Sequence, residues 1–147
     1  MPPLEGVGVE WLGVLLVVHA CATWFLVGLI WVVQWVHYPL MDGVGADGWT
    51  RYGDRHRARI TYIVAPMMFV ELACGAALVV LAPGVLSWVG AGLLGVVWVS
   101  TFAVQVPLHA KLASLFDVRA HALLVGTNWV RTVAWSGRGV LAALLLV

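Results

Sequence analysis

Four stretches of this chain, residues 11–36, 60–82, 85–106 and 122–147, are long and apolar enough to cross a hydrocarbon core, which takes about 20 helical residues. That pattern decides the solvent. Of the 147 residues 63% are hydrophobic and only 10% are charged, against roughly 45–50% and about 25% in an ordinary soluble domain. So few charges cannot cover the surface of a water-soluble fold this small. The expectation is an all-α, four-helix transmembrane bundle of up-down-up-down topology, forming one integral membrane domain over residues 1–147, because a lone helix satisfies its own backbone in lipid. The nine Trp fit the headgroup level of a bilayer. A net charge of +1 excludes a polybasic nucleic-acid surface, which needs clustered Lys and Arg. Cys21 and Cys74, both within apolar runs, form neither a disulfide framework nor a Cys-x-x-Cys knuckle.

The basic residues orient the bundle. Arg51, Arg55, Arg57 and Arg59 lie in the first connection and Lys111 and Arg119 in the third, with none in the N-terminal tail or in the Pro83-Gly84 link. Lys and Arg are poorly translocated, so connections one and three are predicted to face the cytoplasm and both termini the outside. Trp11 and Trp88 then sit at the outer interface and Trp35 at the inner one. The tail MPPLEGVGVE carries two Glu and no basic residue, unlike the positive start of a signal peptide, so the first run is expected to stay as a span. The setting is predicted to be a bacterial cytoplasmic membrane.

Polar residues within the runs fall into stripes at 100° per residue. His19, Thr23, Gln34 and His37 share one face of the first helix. Arg57, Thr61 and Glu71 share a face of the second with Val64, Met68 and Gly75. Ser87, Ala91 and Gly95 form a small-residue seam on the third that continues through Trp98 to Gln105 and His109, and Pro107 either ends or kinks that helix. His121, Asn128, Arg131, Trp135 and Arg138 line one arc of the fourth. Lipid requires such stripes to face inward. Counting residues from the start of each apolar run puts Glu71 and Arg131 near one mid-membrane level, so they are predicted to pair. Arg138 is left to snorkel toward Glu10 or to face a cavity holding an anion.

His37, His56, His109 and His121 fall at the predicted cytoplasmic ends of the four runs, one per helix. Imidazole is a common metal ligand and axial haem ligand, and bundles build cofactor sites from facing helices. These four are therefore candidate ligands to haem or a transition metal, with Asn128 as a further cofactor contact and Tyr38, Tyr52, Asp54 and Asp117 nearby. The competing reading is that polar side chains simply collect at membrane interfaces.

The string His19-Ala20-Cys21-Ala22-Thr23-Trp24-Phe25, followed by Gly28, resembles the first helix of the HemJ-type protoporphyrinogen oxidases, which carry a His ahead of a Thr-Trp-Phe-x-Gly string. In this chain the His stands two residues closer to the Thr and the Gly one residue further from the Phe. The four-span layout, with Pro107 and a Trp- and Arg-bearing fourth helix, is similar to the anthrone-oxygenase-like membrane proteins. Both resemblances imply a small redox-associated bundle, and the first implies a haem-ligand role for His19.

Together these features lead to the expectation of a haem- or metal-binding membrane oxidoreductase or cofactor-binding bundle. Glu71, Arg131 and Arg138 would be its catalytic positioning residues, acting on an apolar or quinone-like small molecule. The alternatives are a small proton-coupled carrier using Glu71 and Arg131 as a relay, possible only as a homo-oligomer, and an accessory subunit whose stripes are interhelical contacts.

Overall fold

The computed structural model describes residues 4–113 and 115–147, so the first three residues of the N-terminal tail lie outside the described residues. The described chain is all-helical. Helix α1 spans Leu4–Val32, α2 spans Ala46–Leu81, α3 spans Val85–Ser100 and α4 spans Val118–Leu144. The helices form a ring in which α1 packs on α2 and α4, and α3 packs on α4 and, along the loosest seam, on α2.

Three rods are long and apolar enough to cross a membrane: Glu10–Gly43, Asp47–Leu81 and Val85–Lys111. Helix α4 has the length, 27 residues or about 40 Å at ~1.5 Å per residue, but not the composition. The reason is visible in its buried side, where Asn128, Arg131, Thr132, Trp135 and Arg138 all point into the bundle. Large apolar side chains cover the outside instead, among them Trp11, Tyr62, Val80, Trp88 and Val99. This inside-out distribution is the one a bilayer demands, since polar groups in lipid must find partners within the protein.

Two rods change pitch at one level. After α1 the chain makes a π-helical turn, Val33–His37, in which the Tyr38 N–H reaches back to Val33 O. After α3 it makes a second, Thr101–Gln105, closed by the Val106 N–H on Thr101 O. In each case a proline follows two residues beyond the turn, Pro39 and Pro107. A proline has no N–H and its ring collides with the carbonyl four residues back, and a widened turn relieves both problems without breaking the rod. Pro107 therefore does not end the helix, which continues as Val106–Lys111.

The first connection is shorter than the apolar run implies, because α2 begins at Ala46 and carries residues 46–59 of the basic stretch as helix. Arg is a good helix former, and the buried Trp49 fastens this extension by donating its indole N–H to Leu112 O at 2.7 Å. Asp117 caps α4, accepting from the Ala120 N–H at 2.8 Å, and it pairs with Lys111 at 3.2 Å. That N–H, followed by the Lys111 ammonium, holds the Asp117 carboxyl below the usual carboxylate range.

The small-residue seam on α3 sits at a different phase from the one predicted. Gly95 is exposed, and the buried residues are Ser87, Leu94, Val97 and Ser100. A step of eight residues drifts about 80° around a helix whereas a step of seven drifts about 20°, so Leu94 rather than Gly95 stays in line with Ser87. Close backbone approach occurs elsewhere: a methyl group on Gly139 would meet Val27 and Trp24 at 3.2 and 3.4 Å, and one on Gly75 would meet Leu94 at 3.1 Å.

Candidate functional site

The interior polar groups separate into two clusters stacked along the bundle. In the first, Glu71 is fully buried and its carboxylate is surrounded by donors. Arg138 Nε lies at 2.8 Å, Trp135 Nε1 at 3.0 Å and Thr23 Oγ1 at 3.1 Å. Arg138 also donates to the Gly90 carbonyl and approaches His19 Nε2 at 3.2 Å. The predicted Glu71–Arg131 pair is thus replaced by a buried Glu71–Arg138 ion pair, and Arg138 does not snorkel to the exposed Glu10. The depth count failed because the start of an apolar run is not a level marker. Helix α2 runs through fourteen polar-rich residues before Ile60, and α4 starts four residues before Ala122. Arg131 consequently stands nearer the His end than Glu71.

In the second cluster Arg131 is held among neutral groups. Its Nε donates to Asn128 Oδ1 at 3.0 Å, Nη1 approaches Thr101 Oγ1 at 3.4 Å, and Nη2 approaches the Tyr38 hydroxyl and Gln105 Oε1 at 3.4 and 3.5 Å. Asn128 is oriented in turn by its donation to Gln34 Oε1 at 2.8 Å, and Gln34 donates to Val125 O at 3.2 Å. Gln105 is anchored on the Thr127 hydroxyl at 2.9 Å. The two π turns place Gln34 and Gln105 at this level from opposite sides.

Between this cluster and the α2–α3 seam lies a cavity of about 220 Å³. Its walls are apolar, with Leu26, Ile30, Val64, Met68, Phe69 and Phe102 among them, and one end is polar, where Tyr38, His56, Gln105, His109 and Arg131 converge. Thr61 and Phe69 on α2 and Phe102 and Val106 beyond it are exposed while lining the cavity. The cavity therefore opens on the flank of the bundle. Trp98 also lines the cavity, and its buried indole N–H has no hydrogen-bond partner.

Three of the four inner-end histidines come together. His37 stacks on His56 with ring centroids 4.1 Å apart, His56 and His109 are 6.1 Å apart, and His109 Nε2 shares a 2.9 Å hydrogen bond with the Tyr38 hydroxyl. Tyr52 reaches His37 at 3.4 Å. The fourth is elsewhere: His121 meets the Tyr38 carbonyl at 2.8 Å and packs against Phe116. Asp54 and Asp117 are engaged by Arg57 and Lys111 rather than by any histidine. Among the described residues no group of three or more His, Cys, Asp or Glu is arranged to hold a metal ion. A haem fits poorly as well. The void beside His19 is about 10 Å³, and the larger cavity suits one or two rings, well short of a macrocycle.

Compared with protein families, curated proteins and solved structures, the chain shows no significant match.

Tyr38, expected as a further or supporting ligand near the histidines, has a more specific set of partners. Tyr38 joins Arg131 to His109, and its position next to Pro39 was the available signal.

Proposed function

We propose that this chain is an integral membrane protein of four spans that binds an apolar, quinone-like small molecule in the cavity between α2 and α3, taking it in laterally from the bilayer. The observation that carries the reading is the shape of the chemistry: apolar walls, a mouth on the lipid-facing side, and a single polar end built from Arg131, Tyr38, His109, His56 and Gln105. Small-molecule sites have this character, an apolar pocket with a few convergent polar groups that fix orientation. An apolar ring with an oxygen turned toward that polar end meets these terms. π-turns of the kind that frame the polar end recur at functional sites.

In this reading both termini face outward and the arginine-bearing start of α2 faces the cytoplasm of a bacterial cell. The buried Glu71–Arg138 pair is scaffold, holding α2 to α4 beside the cavity. A carrier drew its support from a Glu71–Arg131 relay, and the two are not partners here, so the cavity is the stronger guide.

The test is menadione, a two-ring quinone, titrated into the protein in lipid nanodiscs while tryptophan emission is followed. Trp98 and Trp135 line the cavity, so saturable quenching is expected, and it should be lost in Ala65→Trp, where a new ring fills the space. Quenching that rises linearly, as in discs carrying an unrelated helical protein, would refute the reading.

A further inference from the structure

We infer that the molecule in this cavity is a lipophilic weak acid bound as its anion, with Arg131 as the counter-charge. The inference rests on the proposed cavity site and goes further by naming the charge state of the head group.

Its basis is a charge imbalance. The bundle interior holds three ionised side chains, Glu71, Arg131 and Arg138, each buried. Glu71 and Arg138 neutralise each other. Arg131 has no carboxylate within ion-pair distance among the described residues, and no Asp or Glu lines the cavity it faces. Its hydrogen bonds go to an amide oxygen of Asn128, an amide oxygen of Gln105 and the hydroxyls of Tyr38 and Thr101. These neutral acceptors satisfy N–H groups without cancelling the charge. A guanidinium stays protonated in proteins, and an uncompensated charge inside a membrane is costly enough that such residues pair or face a polar pathway. Arg131 faces the cavity, so the missing negative charge belongs to what enters it.

The neighbours fit an anion. The titratable groups at this end are Tyr38 after α1, His56 on α2 and His109 after α3, and each can donate a hydrogen bond to an oxygen. A planar guanidinium suits a carboxylate or an ionised ring hydroxyl flanked by a second oxygen. The apolar walls and lateral mouth select a body that already resides in lipid. A carboxylic acid, an enol or a hydroxylated ring acidic enough to ionise near neutral pH meets these terms, and binding requires only that its proton be released to water.

The test compares 2-naphthoate with 2-naphthamide, two probes of one shape that differ in charge, for binding to the protein in neutral-lipid nanodiscs, corrected for partition into empty discs. The naphthoate is expected to bind at least tenfold more tightly at pH 7. That preference should fall to near unity in Arg131→Gln and survive in Arg131→Lys. Should Arg131→Gln fail to fold, the unmodified protein still decides the matter, because the preference must vanish as the pH drops below the probe's own pKa. Equal binding of both probes overturns the inference and leaves the cavity site standing, whereas binding of neither overturns both. A tyrosinate absorbance near 295 nm at pH 7 in the ligand-free protein, abolished by Tyr38→Phe, would also overturn it by showing Arg131 already balanced from within.

Discussion

Replacing Glu71 with Gln removes one charge and almost no volume, at a site where the carboxylate is wholly buried and takes bonds from Arg138, Trp135 and Thr23 at 2.8, 3.0 and 3.1 Å. The loss is not shared among weak surface terms. Arg138, itself buried, keeps its charge with only the Gly90 carbonyl and His19 to face, and the new amide turns an N–H₂ group toward donors. Breaking a buried pair from one side costs about 3–5 kcal/mol, a large part of the ~5–15 kcal/mol that holds an ordinary domain together. At about 2–4 °C per kcal/mol for a chain of this size, the midpoint of thermal unfolding in detergent should drop by roughly 6–20 °C. Arg138→Met should do comparable damage. The double variant Glu71→Gln/Arg138→Met removes both charges and should recover more than half of the combined loss, whereas Glu71→Gln/Arg131→Met should recover little. The assay is the monodisperse fraction by size exclusion together with the unfolding midpoint for the four corners of each cycle. Additive losses for Glu71 with Arg138, or recovery confined to the Glu71 and Arg131 cycle, would refute the pairing.

Gly139→Val should cost about 1–3 kcal/mol through overpacking, since even a methyl group meets Val27 and Trp24 at 3.2 and 3.4 Å; the unfolding midpoint reports it, and an unchanged midpoint would mean that α1 and α4 are not in this register. For orientation, a membrane-impermeant thiol reagent should label a cysteine placed at Gly43 in a background lacking Cys21 and Cys74 only from the cytoplasmic side, and a tag at either terminus should be reached from outside; the reverse pattern contradicts the topology proposed from Arg51, Arg55, Arg57 and Arg59. Purified protein is expected to lack both a Soret band and stoichiometric transition metal, and a Soret band lost in His19→Ala would restore the haem reading of α1.

How much of this was legible beforehand depended on whether a question concerned faces or levels. Faces come from angular period. The inward stripe of His19, Thr23 and Gln34 on α1, and of Asn128, Arg131, Trp135 and Arg138 on α4, follow from 100° per residue and are buried as expected. The gathering of His37, His56 and His109 at one end follows from antiparallel rods joined by short links. Levels need axial positions good to one helical turn, about 5.4 Å, and the apolar boundaries do not supply that. Arg131 and Arg138 are seven residues apart on one face, so an axial error of about two turns exchanges the partner of Glu71. The π turns were illegible for a related reason. Pro39 and Pro107 mark where a rod is disturbed, but whether it kinks, ends or widens depends on what packs against the freed carbonyl. The cavity is a by-product of both, arising where α2 and α3 separate, and a pattern of single helices cannot show a gap between two.

The central claim is that a lipid-borne molecule occupies the space between α2 and α3 with its head toward Arg131. The most direct measurement is photocrosslinking with a naphthoate that carries a diazirine on the ring distal to its carboxylate, added to native membranes, with the labelled peptides mapped by mass spectrometry. Label is expected on both walls, within residues 61–69 and 98–106, to be competed by unlabelled 2-naphthoate and to be absent in Ala65→Trp. Label spread over the lipid-facing surfaces of all four helices and insensitive to competitor would contradict the account.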